Sequence, residues 1–279
     1  RQALTMVTFG RLVKESYQQV LEQTHDSSFA RAVATCVALA VSNASHYFTS
    51  LSYYHPFYGM RSSFSENGFP MKADFAEGNL MMPRFVGGYE YSLDLLTKVL
   101  EREARNQHLV GSIHQGSATA IPLPDDSVPY VITDPPYYDA IAYADLSDLC
   151  YVWLRRMIGQ LHPDLFQWSH SPKSDECIMD PPAKPREFFE DTMERALVEC
   201  KRLLSREGIA VVLFAHKGTA GWEALLNALI QAGWTVTSSW PIETERGARM
   251  QAKDSAVLAS SVFLVCRPRP ANAGVGDWR

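Results

Sequence analysis

Hydrophobic residues recur at helical spacing in the N-terminal part of the chain and at strand spacing after residue 107. Leu12, Val13, Tyr17, Val20 and Leu21 share one stripe and predict a helix over 11–24. Phe29, Val33, Cys36, Val37 and Leu39-Ala40 share another and predict a helix over 28–48. Asp26-Ser27-Ser28 supplies side-chain oxygens where that second helix begins, the chemistry of an N-cap. Residues 50–88 are rich in aromatics, Gly, Ser and Pro. They read as a long ordered loop region, too apolar for a disordered linker. The run Tyr53, Tyr54, Phe57, Tyr58 within it reads as packing. Tyr91–Arg105 has the pattern of an amphipathic helix.

Beyond residue 107 strands and helices alternate. Short strands are expected at Leu109–His114 and Tyr130–Thr133. A helix is expected over Phe188–Leu204, closed by Ser205-Arg206-Glu207-Gly208 with Gly208 as its ending residue. Ile209–Ala215 is an unbroken apolar strand of the kind found inside a parallel sheet. A helix over Gly221–Ala232 ends at Gly233, and strands follow at Trp234–Trp240 and Ser261–Cys266. This order predicts an α/β fold with a doubly wound, mostly parallel sheet. The last two strands lack an intervening helix and imply an antiparallel last strand. The expected organisation is a helical, loop-rich portion over 1–107, a core over 108–268 and a flexible tail over 269–279.

Charge and cysteine usage narrow the partners. The formal net charge is −5, so no global basic field attracts polyanions. Contacts to phosphates would come from local clusters: Arg246, Arg249 and Lys253, or Lys173, Lys184 and Arg186. The five cysteines are widely spaced and form no C-x-x-C pair, which argues against structural zinc. They read as reduced thiols of a cytoplasmic protein. No apolar run reaches the ~18 residues of a membrane span, so no membrane partner is expected. A chain that opens on Arg1 instead of methionine reads as a fragment.

The candidate chemistry lies at Asp134-Pro135-Pro136-Tyr137, directly after the strand Tyr130–Thr133. Two prolines cannot donate ladder hydrogen bonds, and they fix their own φ angles. The strand therefore ends in a stiff turn with a carboxylate at one end and a phenol ring at the other. An acid and rigid carbonyls accept hydrogen bonds from an NH2 group, while the ring stacks on the face of a planar base. Ligands of open α/β sheets bind beyond the carboxyl ends of the strands. Gly116-Ser117-Ala118 and Phe214-Ala215-His216-Lys217 are expected at two further strand ends, pointing at one crevice. Asp180-Pro181-Pro182-Ala183 has no apolar run before it and no aromatic after it, and reads as a plain turn.

Gly116–Tyr138 (GSATAIPLPDDSVPYVITDPPYY) resembles the amino-methyltransferases that use S-adenosylmethionine, those modifying adenine or cytosine amines in DNA. The wider chain, over most of 10–268, resembles a family of large prokaryotic proteins described as adenine-specific DNA methylases. Ala76-Glu77-Gly78-Asn79, Tyr151-Val152-Trp153-Leu154-Arg155, Trp240-Pro241-Ile242 and Leu258-Ala259-Ser260-Ser261 carry the weaker part of that likeness. The resemblance implies a Rossmann-like methyltransferase core, S-adenosylmethionine as cofactor and DNA as partner. It implies that Asp134 and the Pro135 carbonyl accept hydrogen bonds from the target amine of a flipped base. Pro136 would hold the turn, Tyr137 would stack on the base, and Tyr138 or Tyr143 would form the other wall. Gly116, Ser117, Ala118 and Asp134 would contact the cofactor, and Arg246 and Arg249 the substrate. The implied reaction is methylation of an exocyclic amine, adenine N6 before cytosine.

The sequence departs from the family in two places. Relatives often carry an acid where Ser117 stands. The Phe-x-Gly-x-Gly loop under the cofactor's methionine half has no clear counterpart; the nearest is Phe85-Val86-Gly87-Gly88, with no buried strand before it. In the large relatives that loop lies far upstream, so the first strands are expected before Arg1. An upstream segment of the same protein would then complete the cofactor site. Two other readings stay open: methylation of an RNA amine or a protein amide, and a catalytically silent nucleic-acid-binding fragment.

Overall fold

The computed structural model describes residues 1–57, 59–64, 69, 71, 73–82, 85–105, 111–242 and 261–270. It divides into two compact units, Arg1–Ile113 with Ala142–Glu176, and His114–Ile141 with Cys177–Arg279. The stretch Ala142–Glu176 therefore belongs with the helical N-terminal portion, whereas the sequence pattern groups it with the core over 108–268.

The helical unit contains α1 (Gln2–Thr24), α2 (Ser27–Ser45), the hairpin β1 (Tyr53–His55) and β2 (Gly59–Arg61), α3 (Tyr89–Arg105) and α4 (Tyr143–Ile158). Asp26 caps α2 as expected, its carboxylate accepting from the backbone N–H groups of Ser28 and Phe29 at 2.9 Å each. The face that α2 buries differs from the expected one. Ala30, Ala34, Ala38, Val41 and Ser45 are buried, while Phe29 and Leu39 are exposed. Helices α1, α3 and α4 all pack against α2, so its inner face takes mostly small residues that permit close approach, with Val37 and Val41 packed in the core and Phe29 and Leu39 outside. Met6, Val13, Val41, Leu80, Met157 and Ile158 fill the core of this unit.

The sheet unit contains β3 (Val128–Thr133), α5 (Arg186–Leu203), β4 (Leu204–Phe214), α6 (Thr219–Gln231), β5 (Trp234–Ile242) and β6 (Ser261–Pro268). The strand order is β3-β4-β6-β5. β3 and β4 are parallel, and β6 runs antiparallel to both β4 and β5. The antiparallel last strand is present, but it is inserted between β4 and β5, so the sheet is mixed and not mostly parallel. Ala210, Val212 and Phe214 of β4 and Leu264 and Cys266 of β6 face α5 and α6, where Phe189, Leu197, Leu225 and Leu229 close the core. Both helices lie on that one face. Among the described residues of this unit no helix covers the other face, so the doubly wound arrangement is not completed. On β3, which has β4 as its strand neighbour, Tyr130 is 67% and Ile132 78% exposed.

Two expected helix ends resolve differently. Gly233, at φ +76°, ends α6 in the left-handed region that only glycine adopts cheaply. Gly208 ends nothing. α5 stops at Leu203, and β4 begins at once with Leu204 in extended geometry (φ −75°, ψ 127°). Gly208 lies inside β4 beside an irregular stretch of its pairing with β3, where a Cβ would come within 2.5 Å of Leu204 Cγ. The expected strand Leu109–His114 is not formed over its described residues: 111–114 are extended coil, and Ile113 is 97% exposed. Among the described residues no helix is long and apolar enough to cross a membrane.

Candidate functional site

β3 ends at Thr133, and Asp134-Pro135-Pro136-Tyr137 carries the chain off the sheet at its carboxyl end. The prolines stop the ladder there and stiffen the turn. Asp134 is exposed, and among the described residues its carboxylate makes no hydrogen bond or ion pair. An acid held on rigid backbone with its acceptor oxygens unspent is available to a ligand. The Tyr137 ring is half-buried and rests against Phe214 at the end of β4, with centroids 5.4 Å apart and planes at 73°. That edge-to-face contact holds the ring against the end of β4, where it packs on the core of the sheet unit.

Tyr138 departs from expectation. Its φ is +58° and it is 4% exposed. A bulky residue in that region costs on the order of 1–3 kcal/mol and persists only where its surroundings hold it. Here the left-handed turn drives the ring into the core, edge-on to Phe189 at 5.1 Å and to His216 at 5.6 Å. The Tyr138 carbonyl accepts from the Met179 N–H at 3.0 Å. Tyr138 is therefore a packing residue and not a wall for a base.

The next residue, Asp139, bonds His216 in the loop after β4, Oδ1 to Nε2 at 2.8 Å. Gly218 lies on the other ring nitrogen, its carbonyl oxygen 2.9 Å and its N–H 3.1 Å from His216 Nδ1. Gly221 leaves room for this ring, since a Cβ there would meet His216 Cγ at 2.4 Å. Parallel pairing of Thr133 with Val212 brings the two strand ends side by side, which is why these loops can meet.

The approach to β3 is anchored by Arg202 near the end of α5. Its guanidinium donates to the Ile121 carbonyl at 3.0 Å and the Leu123 carbonyl at 2.9 Å, and it pairs with Asp125 and Glu199. Glu199 also accepts from the Ile121 N–H at 2.7 Å. The hydrogen bonds from Arg202 and Ile121 hold the Glu199 carboxyl well below the usual range, at about 2. The loop leading into the motif is thus tied to the helix that supports the sheet.

The other predicted site residues scatter. Gly116, Ser117 and Ala118 are exposed and do not follow a strand. Ser117 closes a local turn, its Oγ 2.8 Å from Thr119 Oγ1 and accepting from the Thr119 N–H at 3.2 Å. A Cβ on Gly116 would meet nothing within 4 Å, so that glycine makes no close cradle. Tyr143 opens α4 in the helical unit and is 40% exposed. Arg246, Arg249 and Lys253 lie outside the described residues, as do Tyr58, residues 258–260 and residues 271–279 of the expected tail. Lys173 is in the helical unit and pairs with Asp148 at 2.6 Å, whereas Arg186 is in the sheet unit and pairs with Glu190 at 2.7 Å. Gly87, in the Phe85–Gly88 segment, is a packing glycine: a Cβ there would fall 2.1 Å from Tyr47 Cγ. Glu77 is exposed, and Asn79 caps its own turn by accepting from the Met81 N–H at 3.1 Å. Asp180–Ala183 is a turn closed by reciprocal Asp180–Lys184 backbone bonds of 2.8 and 2.9 Å.

Sequence reasoning missed Asp139 and Phe214 as supports of the motif. The signal was present in the polar residues directly beyond two neighbouring strand ends.

No family model and no curated protein matches the chain. Among solved structures, a candidate DNA modification methylase from Thermus thermophilus is similar at 14% identity and a TM-score of 0.31, over 58% of this chain and 55% of that one. The chain thus spans about half the length of that structure.

Proposed function

We propose that the sheet unit carries the target-amine half of a DNA amino-methyltransferase site, with adenine N6 as the preferred acceptor. The observation that supports this reading is the exposed Asp134, unpartnered among the described residues, on a proline elbow that also carries the braced ring of Tyr137. Asp134 accepts one hydrogen bond from the amine and the Pro135 carbonyl accepts the other. Pro136 keeps the turn rigid, and Tyr137 lies on the face of an unstacked base. Two acceptors on one NH2 group fix its orientation, which is the contribution positioning makes to such a reaction. S-adenosylmethionine supplies the methyl group when bound. Gly116–Ala118 lie on an exposed turn, and an upstream segment of the same protein is the proposed completion of the cofactor site. Among the described residues β3 is an end strand of the sheet and leaves Tyr130 and Ile132 exposed on one face, a place where such a segment would add.

The test is transfer of labelled methyl from S-adenosylmethionine to duplex DNA, RNA and a protein mixture in parallel, with mass spectrometry of the product. N6-methyladenine in the DNA arm supports the proposal, and label confined to RNA or protein moves the site to another substrate. A second reading, a silent nucleic-acid-binding fragment, is favoured by the open turn at Gly116–Ala118. Calorimetry separates it: the fragment reading requires no S-adenosylmethionine binding to this chain and binding once the upstream segment is present.

A further inference from the structure

Within the helical unit, α1 and the C-terminal end of α4 enclose a groove of about 650 Å³. Its floor is apolar, with Met6 and Gly10 buried beneath it, and Trp153 and Phe166 form part of its wall. Its rim carries four cations, Arg11 and Lys14 from α1 and Arg155 and Arg156 from α4, all exposed. In a chain of net charge −5 this is a strong local reversal of sign.

Three of the four cations are placed without being neutralised. Arg155 Nε donates to the Phe166 carbonyl at 3.3 Å, and Arg156 Nη1 to the Val152 carbonyl at 2.9 Å. Both partners are neutral. Among the described residues Lys14, Arg155 and Arg156 form no ion pair, and the one acid engaged at this rim is Glu15, bound to Arg11 in an exposed i,i+4 pair. The Arg156 guanidinium lies 5.7 Å from the Trp153 ring centroid, so the aromatic wall and the cationic rim are continuous.

We propose that this groove binds a single strand of nucleic acid, with phosphates along the four cations and a sugar or base face on Trp153 and Phe166. Charge complementarity sets the sign of the ligand, and the groove's aromatic wall sets its kind. An acidic peptide offers the charge but no flat apolar faces. A membrane surface calls for a projecting apolar ridge, and this site is concave. Strand-binding grooves combine a positive track with aromatic platforms in this way. The inference stands on the groove's own residues and does not depend on methyl transfer at Asp134.

The experiment is fluorescence anisotropy of a labelled oligodeoxynucleotide with the full chain, as single strand and as duplex, across a salt series. Single-strand affinity should fall with salt, and each phosphate contact removed should flatten the log–log slope by about 0.7. Lys14→Gln with Arg156→Gln, both on exposed positions, should weaken binding and reduce the slope by about 1.4. Trp153→Leu should weaken binding roughly 5–150-fold with the slope unchanged; if it fails to fold, the exposed charge pair still decides the matter. Unchanged affinity and slope in the charge variant overturns the proposal. So does a duplex bound more tightly than the single strand, or equal displacement by poly-aspartate or by anionic vesicles.

Discussion

His216 Nε2 lies 2.8 Å from Asp139 Oδ1, fastening the loop after β4 to the loop that carries the Asp-Pro-Pro-Tyr motif. The side chain of His216 is 11% exposed and that of Asp139 48%, so the contact is sheltered from one side. Its effect is mechanical. It fixes the far end of a turn whose near end is fixed by β3, and Asp134 and Tyr137 stand between the two.

His216→Ala should therefore loosen the motif without unfolding the unit. The expected loss is about 1 kcal/mol of stability, the usual scale of one such hydrogen bond. Amide exchange should speed up most at Ala140 and Met179, whose N–H groups bond the carbonyls of Tyr137 and Tyr138. Asp139→Asn, which keeps an acceptor, should restore most of the protection. Unchanged exchange at both amides would show that the turn holds itself.

Acid should weaken the helical unit through His46. Burial lowers the pKa of this imidazole from 6.5 to about 4, and its Nε2 lies 3.0 Å from Cys150 Sγ. The folded state thus disfavours the proton. Stability is complete above pH 6.5 and is lost as the pH falls towards 4, because the unfolded chain takes up the proton first. The loss should be on the order of 2 kcal/mol, discounted for partial exposure. Denaturant titrations at several pH values should show it, and His46→Gln should flatten the curve through that window. Asp148 acts lower down. Burial alone would raise its pKa, but hydrogen bonds from Lys173 and Ser171 outweigh this and hold it at about 2, so its contribution disappears only as the pH falls below 3.8.

Much of this fold could be read from residue patterns, and the exceptions share a cause. The Asp26 cap, the stop at Gly233 and the strands β4, β5 and β6 follow from local chemistry, which a linear sequence displays. The buried face of α2 was misread because periodicity weights Phe29 and Leu39, while a helix packed by three others buries Ala30, Ala34 and Ala38. Gly208 looked like a helix stop because its role, passing Leu204 within β4, depends on pairing with β3. Within the site, the acid, the prolines and Tyr137 were legible from the motif. Tyr138 was not, since its burial follows from a left-handed turn that no neighbouring residue type announces. The Asp139–His216 bond spans 77 residues and appears only once two strands lie in register.

Gly87→Ala separates two roles for the Phe85–Gly88 segment. The added Cβ would strike Tyr47 at Cβ and Cγ, atoms too near the backbone to swing aside. The variant should lose roughly 1–3 kcal/mol of stability, as overpacked sites do. Its S-adenosylmethionine binding, measured by calorimetry well below the melting temperature, should match wild type. Lost cofactor affinity in a stable variant would return this segment to the cofactor site.

Arg202→Ala should free the segment before β3, since it removes four partners from one guanidinium. Limited proteolysis should cut between Ile121 and Ser127 far faster than in wild type. Glu199→Gln should give a weaker form of the same change, and the wild-type segment should loosen as the pH falls from 4.5 towards 2. Resistance to cleavage in both variants would mean that the backbone bond from the Asp126 N–H to the Arg202 carbonyl suffices.

The most direct measurement is the rate of labelled methyl transfer to DNA by the protein, wild type against Asp134→Ala, with folding of both checked by circular dichroism. Losing an acceptor that orients the reacting amine should lower the rate by about a hundredfold or more, with the melting temperature unchanged because Asp134 has no partner to lose among the described residues. A folded Asp134→Ala protein that methylates DNA at the wild-type rate would contradict the assignment of this strand end as the amine site.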